Sequence, residues 1–175
     1  LPGRPAGGAN PANPGARNPA TPEEPLPVDS QFPRRLRNTA KPVNDLLRSD
    51  TALLLRNALI DTANRRQPAV PEHLKADAEP GGFIVQARGV ITPAFRTLVT
   101  QAGGEIVSYI PNNALLVRAS AEAARTLPAS PLVQAVLPFE PYYKIDPALL
   151  AAAVEQRALT GDRRLTLTLY PGLDD

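Results

Sequence analysis

The sequence predicts an α+β fold, with helices packed on one face of an antiparallel sheet. Three observations carry that expectation. Short β-rich apolar runs alternate with helical patterns between Gly82 and Asp146, cap and turn residues stand at the joints, and a Pro-rich stretch precedes them. Ten of the 21 prolines fall before residue 45, which leaves the remainder to supply the core. A core of that size is modest but feasible, and with no Trp and few other aromatics it must be mostly Leu, Val, Ile and Ala.

The elements follow in order. Residues 1–45 form a Pro-rich extended arm. Its Asn-Pro steps at 10–11, 13–14 and 18–19 turn the preceding residue away from helix. Such a sequence favours extended and polyproline conformations and cannot bury enough to fold alone. If ordered, it must lie on another surface, its own domain's or a partner's. Residues 46–81 are expected to hold a helix and a loop. The apolar spacing across 44–64, with Leu53, Leu54, Leu55 and Ile60 on a broad face and Ser49 or Asp50 as cap, predicts an amphipathic helix. Pro68, Pro71 and Pro80 then break the chain into a loop.

The clearest region is 82–146. Phe83 to Gln86 is a β-rich run. Thr92 offers an N-cap with Pro93 at the first helical position, and Phe95, Leu98, Val99 and Ala102 follow at helical spacing until Gly103-Gly104. A strand over 105–110, a turn at Pro111-Asn112-Asn113 and a strand over 114–118 make a hairpin. Ser120 caps a second helix that Pro128 ends, and 133–137 forms a fourth strand. The order β-α-β-β-α-β is the split βαβ, ferredoxin-like plan. In the final stretch, 147–175, a helix starts at Asp146-Pro147 and runs to about Ala158. RLTLTLY (164–170) then alternates strictly, with Leu165, Leu167 and Leu169 on one face, as a terminal strand needing a partner.

Composition argues against several functions. The net charge is +2, the 19 basic residues are scattered among 17 acids, and the nearest cluster is Arg34, Arg35 and Arg37, so no concentrated stripe suits nucleic acid. Cysteine is absent, which removes disulfides and thiolate chemistry. No apolar run reaches the length of a membrane span. The lone histidine, His73, lacks the company a zinc site needs and reads as a surface or capping residue. No serine sits in GxSxG, and the glycine pairs at 81–82 and 103–104 match no phosphate-binding spacing. The expectation is a non-catalytic chain without cofactor or metal. Its start at Leu1 rather than Met fits a removed leader, hence export, or equally a fragment boundary.

FIVQ (83–86), the run from Gly104 to YIPNNA (109–114), LVR (116–118) and LPFEPYYK (137–144) occur in that order, preceded by LLRNALIDT (54–62). As a set they resemble the N-terminal propeptide-type domain of large secreted subtilisin-like (subtilase) serine proteases. The resemblance covers about half the chain, and the catalytic Asp, His and Ser motifs of that family are missing. It implies binding rather than chemistry: the sheet's open face lies on two helices of the protease, templating its folding, and the segment after the last strand enters the substrate cleft as an inhibitor. Carried onto this sequence, it makes Tyr109, Ile110, Asn112 and Asn113 partner-binding residues of the sheet and turn. Phe139, Glu140, Tyr142, Tyr143 and Lys144 are the tail, with the two tyrosines either anchoring a partner or packing on their own domain. A second expectation comes from the ends. An arm at one end and an alternating segment with Leu165, Leu167 and Leu169 at the other suit a structural subunit joined to copies of itself in an extracellular filament or surface assembly.

Overall fold

The computed structural model describes residues 25–159, 161 and 164–170. Most of the predicted arm, residues 1–24, lies outside them. The described part is a mixed α+β structure with a four-stranded and a three-stranded sheet.

The larger sheet is built from β4 (Gly82–Ala87), β5 (Glu105–Ile110), β6 (Ala114–Arg118) and β7 (Val133–Pro138), in the order β5-β6-β4-β7 with every neighbouring pair antiparallel. Between them run α2 (Pro93–Gln101) and α3 (Ala121–Thr126). Thr92 caps α2 by accepting from the amide of Phe95 at 3.2 Å, and Ser120 caps α3 by accepting from Ala123 at 3.1 Å, both at the predicted positions. Gly104, just past α2, sits where no side chain fits. A Cβ there would stand 2.7 Å from a Val117 methyl and 2.9 Å from the Val99 carbonyl oxygen. The helices close one face of the sheet: Phe83, Val85, Leu115 and Val117 meet Phe95, Val99, Ala121, Ala124 and Leu127 in one apolar cluster.

The amphipathic helix expected over 44–64 does not form. In its place stand a single helical turn, α1 (Val43–Leu46), and two strands, β2 (Ala52–Leu54) and β3 (Ala58–Asp61). The reason is visible in where the side chains go. Leu53, Ala58 and Ile60 join the large sheet's helix-free face, while Ala52 and Leu59 pack with Leu46 on the other side. Both faces of the pair are buried, so the apolar run has no polar alternation and mimics a helix stripe. Ser49 and Asp50 stand in the turn before β2 and cap no helix.

The arm also ends earlier than position 45. β1 (Leu36–Arg37) pairs in parallel with β3, completing the order β1-β3-β2. The buried Asn38 explains this: its amide donates to the carbonyls of Asp61 and Arg66, and its carbonyl oxygen accepts from the Asp61 amide. The loop after β3 holds one 3-10 turn at Glu72–Leu74.

After β7 come two helices, α4 (Pro141–Lys144) and α5 (Pro147–Val154), the latter capped by Asp146 as predicted. α5 ends at Val154 rather than near Ala158, with Gln156 in a left-handed conformation. The terminal strand is not formed. Residues 164–170 hold no regular secondary structure and belong to neither sheet, and Leu165, Leu167 and Leu169 are exposed.

Candidate partner-binding surface

The helix-free face of the large sheet is the surface on which a partner was expected, and much of it is occupied. Ile84, Ile110, Ala114 and Leu116 face Leu53, Ala58 and Ile60 of β2 and β3. A polar clip fixes that cover. Gln86, fully buried in β4, accepts from the Thr62 hydroxyl at 2.6 Å and donates to the carbonyls of Asn112 at 2.9 Å and Asp50 at 3.1 Å. Its neighbours on the opposite face are purely apolar, so this glutamine marks where the sheet meets a second layer.

The turn between β5 and β6 is used internally as well. Asn112 and Asn113 have φ of 66° and 63°, a left-handed conformation that asparagine tolerates better than most residues. The Asn112 amide donates to the carbonyls of Leu46 and Ser49, at and just after the C-terminal end of α1. Asn113 reaches the Asp50 carboxylate at 3.5 Å. Of the other two predicted sheet residues, Ile110 is buried at 7% exposure and Tyr109 is open at 59%.

Residues 139–144 fold back on their own chain. Tyr142 is buried and its hydroxyl donates to the Arg34 carbonyl. Asn57 holds this segment from the other side, its amide donating to the carbonyls of Ile145 at 2.7 Å and Tyr142 at 3.0 Å. The Glu140 carboxylate accepts from the Ala76 amide. Phe139 and Tyr143 lie with ring centroids 6.3 Å apart, and the Lys144 ammonium stands 5.5 Å from the Phe139 ring. Burial, helped by the negative charge of Glu140, pushes the Tyr143 hydroxyl above the ordinary phenol range. Burial also lowers Lys144, against the opposing pull of Glu140. Of the two roles open to the tyrosines, packing on their own domain is the one the structure displays for Tyr142. Tyr143 is shared between the core and a groove.

That groove, about 730 Å³, runs beside β5 and is lined by Val107, Leu116, Phe139, Tyr143 and Lys144, with Thr168 to Tyr170 as its far wall. Tyr170 presses against Gly82, where a Cβ would lie 2.7 Å from its hydroxyl, and that hydroxyl is buried without a hydrogen-bond partner among the described residues. The groove is largely apolar, and its one cation sits over an aromatic ring. Among the described residues no group of three or more His, Cys, Asp or Glu gathers as a metal site. The ring nitrogens of His73 lie 3.0 Å from the Ala153 carbonyl and 3.3 Å from the Gln156 amide. Among the described residues no helix is long and apolar enough to cross a membrane.

Sequence reasoning missed Gln86 and Asn57, the amides that fasten the small sheet to its neighbours, and Asn38, which ties β1 to β3 and the loop after it. The only signal was a polar residue inside an apolar run, as in FIVQ, and that gives no partner.

Residues 50–140 match the family described as a domain of unknown function, DUF8729. The chain belongs to that family. No curated protein and no solved structure matches it. The DUF8729 span begins at the turn before β2 and ends after β7, so it contains both the small sheet's hairpin and the helix-covered sheet, together with the Gln86 clip that joins them. It includes Phe139 and Glu140, while Tyr142 to Lys144 and the leucines at 165, 167 and 169 lie beyond it.

Proposed function

We propose that this chain is a non-catalytic, exported binding module of the prodomain type, acting on a subtilisin-like protease domain as folding template and inhibitor. Two things support the reading: the ordered set of phrases from FIVQ to LPFEPYYK, and a strand order with α2 and α3 on one face that suits the ferredoxin-like plan. The observation that carries it is the uncovered strip beside β5, where Val107, Phe139 and Tyr143 offer a largely apolar, partly aromatic groove of a kind that binds proteins rather than turns over substrates. The internal cover over Ile84 and Leu116 restricts docking to that strip, unless β2 and β3 give way. The fold by itself carries no function. In the test, the chain is added at micromolar concentration to a panel of subtilisin-like catalytic domains, native and acid-denatured. Inhibition of the native enzymes and faster recovery of activity by the denatured ones are the expected result. No effect on either across the panel would overturn the proposal.

A second reading, a structural subunit joined to copies of itself, is favoured by a different observation. Leu167 is 83% exposed in an alternating Leu-Thr segment that no described strand pairs with.

A further inference from the structure

β5 is an edge strand: in the order β5-β6-β4-β7 only one of its sides is paired. An unpaired edge is a template for another strand, and natural proteins usually guard it with Lys, Pro or short length. β5 has none of these, although its register with β6 shifts between Ile106 and Ser108. It is six residues long, Glu-Ile-Val-Ser-Tyr-Ile, with Glu105 as its only charge and Tyr109 open on its rim.

Residues 164–170 have the complementary properties. They carry no regular secondary structure, and no backbone hydrogen bond joins them to any other described residue. Leucines at 165, 167 and 169 alternate with threonines, the pattern of a strand with one apolar face, and they are 56%, 83% and 62% exposed. Arg164 is the segment's only charge. One acid, Glu105, already ion-paired with Arg118 of β6, heads the open edge and one base heads the unpaired segment, and the two differ in length by a single residue.

We propose that residues 164–170 of one copy of this chain add to the β5 edge of a second copy, in the parallel register that sets Arg164 beside Glu105. The segment is not paired with its own β5: Tyr170 is seated against Gly82 of β4, with β6 between β4 and the edge, and Leu165, Leu167 and Leu169 stay exposed. Each copy therefore offers one strand and one edge, a heterologous contact that propagates unless its rotation closes a ring. The inference deepens the self-assembly reading and is independent of the protease reading.

Light scattering on the full chain, from about 1 µM to about 1 mM, tests it. The expected result is a mass rising above the 18.7 kDa monomer, with the amides of 105–110 gaining protection from deuterium exchange as concentration rises. Leu167→Asp, at an exposed position where the fold is indifferent, weakens association by about tenfold or more. Arg164→Glu weakens it about twofold to fivefold, in a salt-dependent way. A chain that stays monomeric throughout overturns the proposal, and so does association that Leu167→Asp leaves unchanged or that protects some other edge. Inhibition of a protease by a strictly monomeric chain removes this inference and leaves the protease reading standing.

Discussion

The two faces of the four-stranded sheet are closed by different chemistry. Toward the helices, Phe83, Val85, Leu115 and Val117 meet Phe95 and Val99 with no polar group in the seam. Toward the small sheet, apolar contacts among Ile84, Leu53 and Ile60 surround a fully buried glutamine and are bordered by amides of Asn112, Asn57 and Asn38. Apolar closure is nondirectional and roughly proportional to the area removed from water. Amide closure fixes register, because each donor must find its carbonyl or be left buried and unpaired. The helix face should therefore resist loosening until the whole domain melts, whereas the other face can open as a unit.

The hardest test of that contrast is Phe95→Ala. Phe95 is 1% exposed at the centre of the helix seam, and removing its ring should cost about 3–5 kcal/mol, a large share of the stability of a domain this size. Thermal or urea unfolding measures the loss. The expected outcome is one cooperative transition at lower midpoint, with both faces lost together. A variant in which β2 and β3 stay protected while α2 exchanges freely would show that the small sheet does not depend on the helix layer.

Gln86→Leu tests the opposite face. The leucine fills a similar volume but leaves the carbonyls of Asp50 and Asn112 without their donor, at a cost of about 1–3 kcal/mol. The damage should be local. Hydrogen exchange should quicken across 50–62 and hardly change across 93–101. Equal acceleration in both segments would mean that the two faces form a single cooperative unit and that the clip sets no boundary.

The same contrast explains what could be read from the sequence. The helix layer was legible because its information is local: Thr92 and Ser120 cap helices that begin at the next residue, and Phe83, Val85, Phe95 and Val99 repeat at the periods of their own elements. The small sheet was not, because Leu53 and Ile60 face one layer while Ala52 and Leu59 face another, so no alternation survives in the sequence. Its fasteners are long-range. Gln86 binds residues 24 to 36 positions away, and Asn57 reaches Ile145 across 88. For the candidate site, 139–144 was legible as an aromatic run whose tyrosines either meet a partner or pack on their own domain. Which of the two turns inward was not legible, since the partner of Tyr142, the Arg34 carbonyl, lies 108 positions away in what read as an extended arm.

Asp61 sharpens the comparison at the small sheet's outer rim, with the smallest effect. Its nearly buried carboxylate is pushed up by burial, but hydrogen bonds from Lys41 at 2.7 Å, the Thr51 hydroxyl at 2.8 Å and the Ala63 amide at 3.1 Å outweigh that and hold it below the usual range. A carboxylate whose pKa is lower folded than unfolded adds stability above its unfolded value, near ~3.9, and loses it as the pH falls through the folded value. Asp61→Asn should therefore destabilise the chain by about 1 kcal/mol near neutral pH, because the Lys41 partner is half exposed and its attraction is screened. The gap between variant and parent should close as the pH drops toward the folded pKa. Urea midpoints measured at neutral and acid pH give both numbers. A gap that stays constant with pH would mean the carboxylate's charge contributes nothing, and that the rim is held by the Asn38 amide and the apolar contacts alone.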